Sequence, residues 1–241
     1  MIQFRVIIIS KLLQPQLVSQ YSIETTISAL TDIMSPLSKL PKPDDESQVF
    51  DHICSVARCV LQYHRQSLGG RLNLFVPLAE RLLACLFIPN SRDSAAKNRF
   101  KHPSWLDPQK RQLTSKHAHR VARLLTLLCN PPQSNINAAA RKISDSGFSL
   151  TDETRKVRMQ VGQYVQNILH VFCTLQLHGR LGEGMRDALT PGLWAIVDVV
   201  EMGADENRGI KALNASMSNA ERAILRGLWT DYKRFGGAWS G

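Results

Sequence analysis

The chain has no CxxC pair, and its cysteines number an odd five: Cys54, Cys59, Cys85, Cys129 and Cys173. Cys54 and Cys59 stand too far apart for finger spacing, and no histidine pair completes them. His117 and His119 would point apart on a helix, so neither set reads as a zinc site. Four of the five cysteines fall inside apolar helical patterns, which points to buried thiols in a reducing compartment rather than to disulfides. Aromatic residues are few, at 7%. Uninterrupted apolar runs are short. The opening stretch Met1–Leu13 is broken by Arg5 and Lys11 and reads as a core-facing helix or strand. No segment reaches the ~18 uncharged apolar residues of a membrane span, so a soluble protein is expected.

Catalytic signatures are missing as well. There is no P-loop and no G-x-S-x-G elbow. Gly179, Gly182 and Gly184 form a glycine cluster, but no predicted strand precedes them, so they read as a helix-to-helix turn rather than a phosphate cradle. Asp198 and Glu201 lie one turn apart, which on a helix is commonly a solvated face. His170, among Ile168, Val171 and Phe172, reads as a satisfied core histidine. We therefore expect no enzyme, no cofactor, no metal and no small-molecule substrate.

What is present is a folding composition, with 44% apolar residues, and a net charge of +10. That charge is concentrated. Residues 1–90 carry 8 basic and 7 acidic side chains, residues 91–160 carry 14 and 5, and residues 161–241 carry 8 and 8. A basic middle third invites an anionic partner, nucleic acid or an acidic protein surface, although a solvated basic loop has the same signature. The candidate contact residues there are Lys97, Arg99, Lys101, Lys110, Arg111, Lys116 and Arg120.

The apolar periodicity is helical nearly throughout. Helices are expected over 18–34, 47–67, 71–88, 114–129 and 155–178, then from Pro191 to about Val200, and finally from Ser218 to Phe235. The Pro-rich stretch 35–47 is the best boundary. It separates an unassigned N-terminal segment, 1–46, from a helical domain, 47–241, with basic loops at about 90–113 and 131–154. Pro77 should make the 71–88 helix start late or kink, and Trp105 should anchor its loop to the body. Thr114 is a cap candidate, and Ser218 with Glu221 spells a capping box. No run of about 4–8 residues alternates convincingly. The expected fold is all-α, an irregular armadillo- or HEAT-like α-solenoid of antiparallel helix pairs.

Several blocks carry a resemblance. Leu189 to Asp198 is a leucine, a proline–glycine break at Pro191-Gly192, and an apolar helix through Leu193 ending near an aspartate. Leu213-Asn214-Ala215 and Ala220-Glu221-Arg222 follow, and Leu228 to Phe235 with Trp239 closes the chain. Two further blocks are Ala122 to Pro131, containing Arg123, Leu124 and Leu125, and the hairpin from Phe50 to Leu86 with Tyr63-His64-Arg65. Together, over 47–241, they resemble the C-terminal domain of the Urb/Npa family, nucleolar proteins of 27S pre-rRNA processing. The resemblance implies a non-catalytic scaffold in early large-ribosomal-subunit assembly. It would be located in the nucleolus and would bind other assembly factors of the early pre-large-subunit particle, with pre-rRNA nearby. The alternative is a direct RNA-binding helical module acting through the basic middle. On the last helix, Asp231, Lys233 and Arg234 could form a partner-facing edge. Trp229, Tyr232 and Phe235 are expected to pack on the helix beginning at Pro191, through Leu193, Trp194 and Val197.

Overall fold

The computed structural model describes residues 18–65, 68, 71–90, 100–107, 110, 113–130, 150–202 and 209–236. Among these lie eight α-helices: α1 Gln20–Ile33, α2 Glu46–Tyr63, α3 Phe75–Cys85, α4 Ser115–Cys129, α5 Leu150–His178, α6 Met185–Met202, α7 Ile210–Ser216 and α8 Asn219–Phe235. Two three-residue strands, β1 Phe87–Pro89 and β2 Gly179–Leu181, pair antiparallel with Ile88 opposite Arg180. The protein is thus mostly helical, with one small ribbon that the sequence pattern does not announce. Three residues are too few to display alternation.

Local chemistry explains most boundaries. Asp45 caps α2, its carboxylate accepting from the Ser47 and Gln48 N–H groups at 2.9 and 3.2 Å. Pro77 sits in the first turn of α3, where its missing N–H has no intrahelical partner to lose, and a 3₁₀ turn over Leu72–Leu74 delays the α-helix. At α4 the Thr114 N–H donates to His117 Nδ1 at 2.9 Å, so a histidine takes the place usually held by a glutamate. The expected box at α8 is present: Ser218 N–H donates to Glu221 Oε2 at 2.9 Å, and Glu221 N–H to Ser218 Oγ at 3.4 Å.

Two expectations are corrected. Pro191 and Gly192 do not start a helix. That helix begins at Met185, just after Gly184 turns the chain at φ +67°, and Pro191 lies inside it. Glycine is favoured at that φ because it has no Cβ to clash. The proline removes one rung, and Thr190 Oγ1 donates to the Arg186 carbonyl at 2.8 Å one turn before it. Gly192 serves the packing instead. A Cβ there would stand 2.6 Å from Ala122 Cα and 2.8 Å from Ala122 O, so its bareness lets α4 and α6 approach backbone to backbone. Two of the sequence blocks that carry the family resemblance therefore meet at this crossing. The glycine cluster does lie between helices α5 and α6, but its first member belongs to β2.

The second correction concerns α8, which packs chiefly on α5 rather than on α6. Its buried anchors are Leu225 and Leu228, whereas Trp229 and Tyr232 are half-buried and Phe235 is exposed. Three residues stepping by three drift around a 3.6-residue helix, so the third turns out to solvent.

The first six helices alternate between two layers. In one, α1 packs on α3, α3 on α5 and α5 on α8. In the other, α2 packs on α4 and α4 on α6, with α6 also crossing back to α5. A single apolar core runs between the layers. Arg65 ties it together: buried, it donates from Nη1 to the Leu127 carbonyl and from Nη2 to the Leu128 carbonyl, both at 2.8 Å. It thus satisfies two carbonyls at the end of α4. Burial lowers its guanidinium to about 10, still charged at neutral pH. Trp105 is fully buried, and its indole N–H donates to the Ile33 carbonyl at 2.9 Å, pinning the loop after β1 as expected. No helix among the described residues is long and apolar enough to cross a membrane.

Candidate interaction groove

The α2–α4–α6 layer carries a groove of about 880 Å³. One wall is the outer face of α2, with Ser55, Arg58, Gln62 and Tyr63. The other is the outer face of α4, with Lys116, His119, Arg120 and Arg123, and the first turn of α6 closes the end with Asp187 and Ala188. Cys59 and Leu124 contribute apolar surface between the walls. The geometry follows from helix periodicity. Positions 116, 119, 120 and 123 share a face, as do 55, 58, 59 and 62, while the opposite faces supply the core residues Ala118, Val121, Ala122, Ile53, Val56 and Val60.

Four cationic side chains and one carboxylate line this groove. Arg58, Lys116 and Arg123 are exposed. Arg120 is held: its Nε lies 2.8 Å from Asp51 Oδ1, which also sits 3.7 Å from His117 Nε2. His117 is depressed in pKa, first by burial and then by the nearby Arg120 and Lys116 charges, with Asp51 opposing, so it remains a neutral cap. Cys54, at the back of the groove, is buried and its thiol pushed well up by desolvation.

The groove gathers only part of the predicted basic set. Lys116 and Arg120 come together in it, joined by Arg123, which the resemblance places among structural residues but which stands in solvent. Lys101 is exposed, adopts φ +45°, and does not line the groove. Lys110 lies 3.9 Å from the buried Glu46, whose other carboxylate oxygen accepts the Asp107 N–H at 2.8 Å. Lys97, Arg99 and Arg111, with most of the two basic loops, lie outside the described residues. Among the family-block residues, Leu124, Leu125 and Leu193 are buried. Sequence reading missed Arg58, Tyr63 and His119. Arg58 belongs to a third of the chain with balanced charge, and only the packing of α2 on α4 brings it beside the basic segment.

The edge at the end of α8 is organised differently. Lys233 Nζ is 3.1 Å from Glu201 and lies 4.5 Å above the Trp229 ring. Tyr232 donates its hydroxyl to Asp198 Oδ1 at 3.0 Å, and Arg158 pairs with the other oxygen of Asp198. Asp198 and Glu201, each more than a third exposed, also fasten α8 to α6. Lys233 and Arg234 are both exposed, and Asp231 is half-buried. His170 is also corrected: it is half-exposed, 3.8 Å from Glu221, because α8 brings that carboxylate over the α5 surface. No group of three His, Cys, Asp or Glu side chains able to hold a metal occurs among the described residues.

A two-layered, mostly helical body with a cationic groove on one layer defines the class of the molecule. The sequence profile of the Urb2/Npa2 family matches residues 5–241, so the chain belongs to the Urb2/Npa2 family, a family of ribosome biogenesis factors. The match takes in most of the N-terminal segment that the resemblance left unassigned. Comparison with curated proteins and with solved structures finds no match.

Proposed function

We propose that the chain is a non-catalytic scaffold of early large-subunit assembly, acting in the nucleolus on particles that carry 27S pre-rRNA and binding other assembly factors there. The observation that carries this reading is family membership over nearly the whole chain. The alternation of the first six helices between two layers supports an irregular α-solenoid, an architecture in which each helix pair contacts its neighbours and leaves long faces open for partners. Carboxylates brought together by folding act in caps and ties: Glu221 in a cap, Asp198 and Glu201 in holding α8.

A second reading, direct RNA binding, is favoured by the row Lys116, Arg120 and Arg123 within the basic middle third. The two differ in salt dependence, because each phosphate contact adds to the slope of affinity against salt. Capture of the tagged protein from nucleolar extract, with and without RNase, tests the proposal. Assembly factors retained after RNase support it. Their complete loss supports the RNA reading instead.

A further inference from the structure

The groove has more features than a basic patch requires. Its cations stand on both rows of lining side chains: Lys116, Arg120 and Arg123 along α4, and the single Arg58 across from them on α2. Between the rows lie Cys59, Leu124 and the exposed ring of Tyr63. A volume of about 880 Å³ is enough to enclose several inserted side chains. We infer that this groove docks an acidic amphipathic helix of a partner protein, its carboxylates set against Lys116, Arg120, Arg123 and Arg58 and its small apolar side chains inserted onto Cys59, Leu124 and Tyr63. This deepens the scaffold reading and rests on it.

Three observations select that occupant. The first is charge complementarity: four cations face one carboxylate, Asp187, and among the described residues a neighbouring acid holds only Arg120 of the four. The second is spacing. The α4 cations step by four and three, the interval at which carboxylates recur along one face of a helix, so a helix laid beside α4 meets them in register. The third is the floor. Single-stranded nucleic acid is held by successive aromatic platforms, one per base, whereas this groove offers one ring on each wall, Tyr63 on α2 and His119 on α4, with aliphatic and thiol surface beside them. Aliphatic surface at the floor suits Leu- or Ala-sized side chains better than bases.

The test uses the whole chain and two probes. One is a synthetic peptide of about 15 residues, the length at which an isolated helix begins to hold, with glutamates at i, i+4 and i+7 on one face and leucines beside them. Its control is a scrambled peptide of the same composition. The second probe is a single-stranded oligouridylate of similar charge. We expect the patterned peptide to bind at least about tenfold more tightly than the scramble, and Arg58→Glu with Arg123→Glu to remove about tenfold or more of that affinity. Both sites are exposed, so the variants should keep the parental melting curve. Leu124→Ala, which trims the floor, should weaken the peptide without changing its salt slope. If a variant fails to fold, Tyr63→Ser supplies the same comparison from an exposed position. Equal binding of patterned and scrambled peptides overturns the inference. So does tighter binding of oligouridylate that is lost in the arginine variants, which makes the groove an RNA site. Retention of assembly factors by folded groove variants overturns the groove's role but leaves the scaffold reading standing. Loss of those factors from the parent protein on RNase treatment removes the scaffold reading itself.

Discussion

Replacing Gly192 with alanine tests the α4–α6 crossing on which the groove's far wall depends. The new methyl would stand 2.6, 2.8 and 3.1 Å from the Ala122 Cα, O and C atoms. Non-bonded carbons rest at about 3.5–4.0 Å, so roughly 1 Å must be found between two helix backbones, neither of which can swing aside as a side chain would. Overpacking of this kind costs typically about 1–3 kcal/mol, and the backbone collision places Gly192→Ala at the upper end. Alanine's helix preference returns about 1 kcal/mol. The net loss is then about 2 kcal/mol, a fall in Tm of roughly 4–8 °C for a domain of this size. Gly227 in α8 is the internal control, since a Cβ there meets nothing within 4 Å. Gly227→Ala should gain up to about 1 kcal/mol and raise Tm by roughly 2–4 °C. Differential scanning calorimetry reads both. If the two variants rise together, or Gly192→Ala melts at or above the parent, the close approach of α4 and α6 is wrong.

Further outcomes follow from other contacts. Arg65→Ala removes a buried donor from the Leu127 and Leu128 carbonyls and should cost about 2–4 kcal/mol by denaturant titration. Arg65→Lys should recover only part of this, because an ammonium lacks the guanidinium fork. Glu221 is held at about 2, chiefly by the Thr174 hydroxyl at 2.6 Å and then by Ser218, against the opposing effect of burial. A carboxyl depressed in the fold stabilises above its unfolded value, so that contribution should fade as pH falls from about 4.5 toward 2, and Glu221→Gln should lose this part of the acid limb. Tyr232 is raised to about 12, first by burial and then by its bond to Asp198. One of the four tyrosines should therefore ionise late in an ultraviolet pH titration, and Tyr232→Phe should abolish that step. Its stabilising effect is lost as pH rises through that range. Among the cysteines, half-buried Cys59 should be alkylated first in the native protein. Cys129 and Cys173, each pushed up to about 12 mainly by burial, should resist until unfolding, as read by mass spectrometry of the modified peptides.

Features set by near neighbours were legible in the sequence. The Ser218–Glu221 box, the late start of α3 at Pro77, the buried thiols and the Trp105 anchor all depend on residues a few positions away or on simple burial. What could not be read depends on distant partners. Pro191-Gly192 has the local look of a helix start, but Gly192 answers to Ala122, and Gly184 makes the turn. Arg65 stands in the sequence only within the Tyr63-His64-Arg65 block, and its role at the end of α4 depends on carbonyls some sixty positions away. His117 shows no sign of capping by composition, yet its ring nitrogen takes the Thr114 N–H. Phe235 follows the aromatic spacing but drifts off the packed face, because a step of three falls short of a full turn. The groove was half visible: Lys116, Arg120 and Arg123 lie in the basic third, while Arg58 reaches them only through tertiary packing.

The central claim is a role in making the large ribosomal subunit, and pulse-labelled pre-rRNA after depletion of the protein measures it most directly. The account predicts that 27S precursor is lost or fails to mature, and that new large-subunit rRNA falls severalfold while small-subunit rRNA continues to appear. Normal processing of both subunits' rRNA after depletion, or an equal loss of the two, would contradict it.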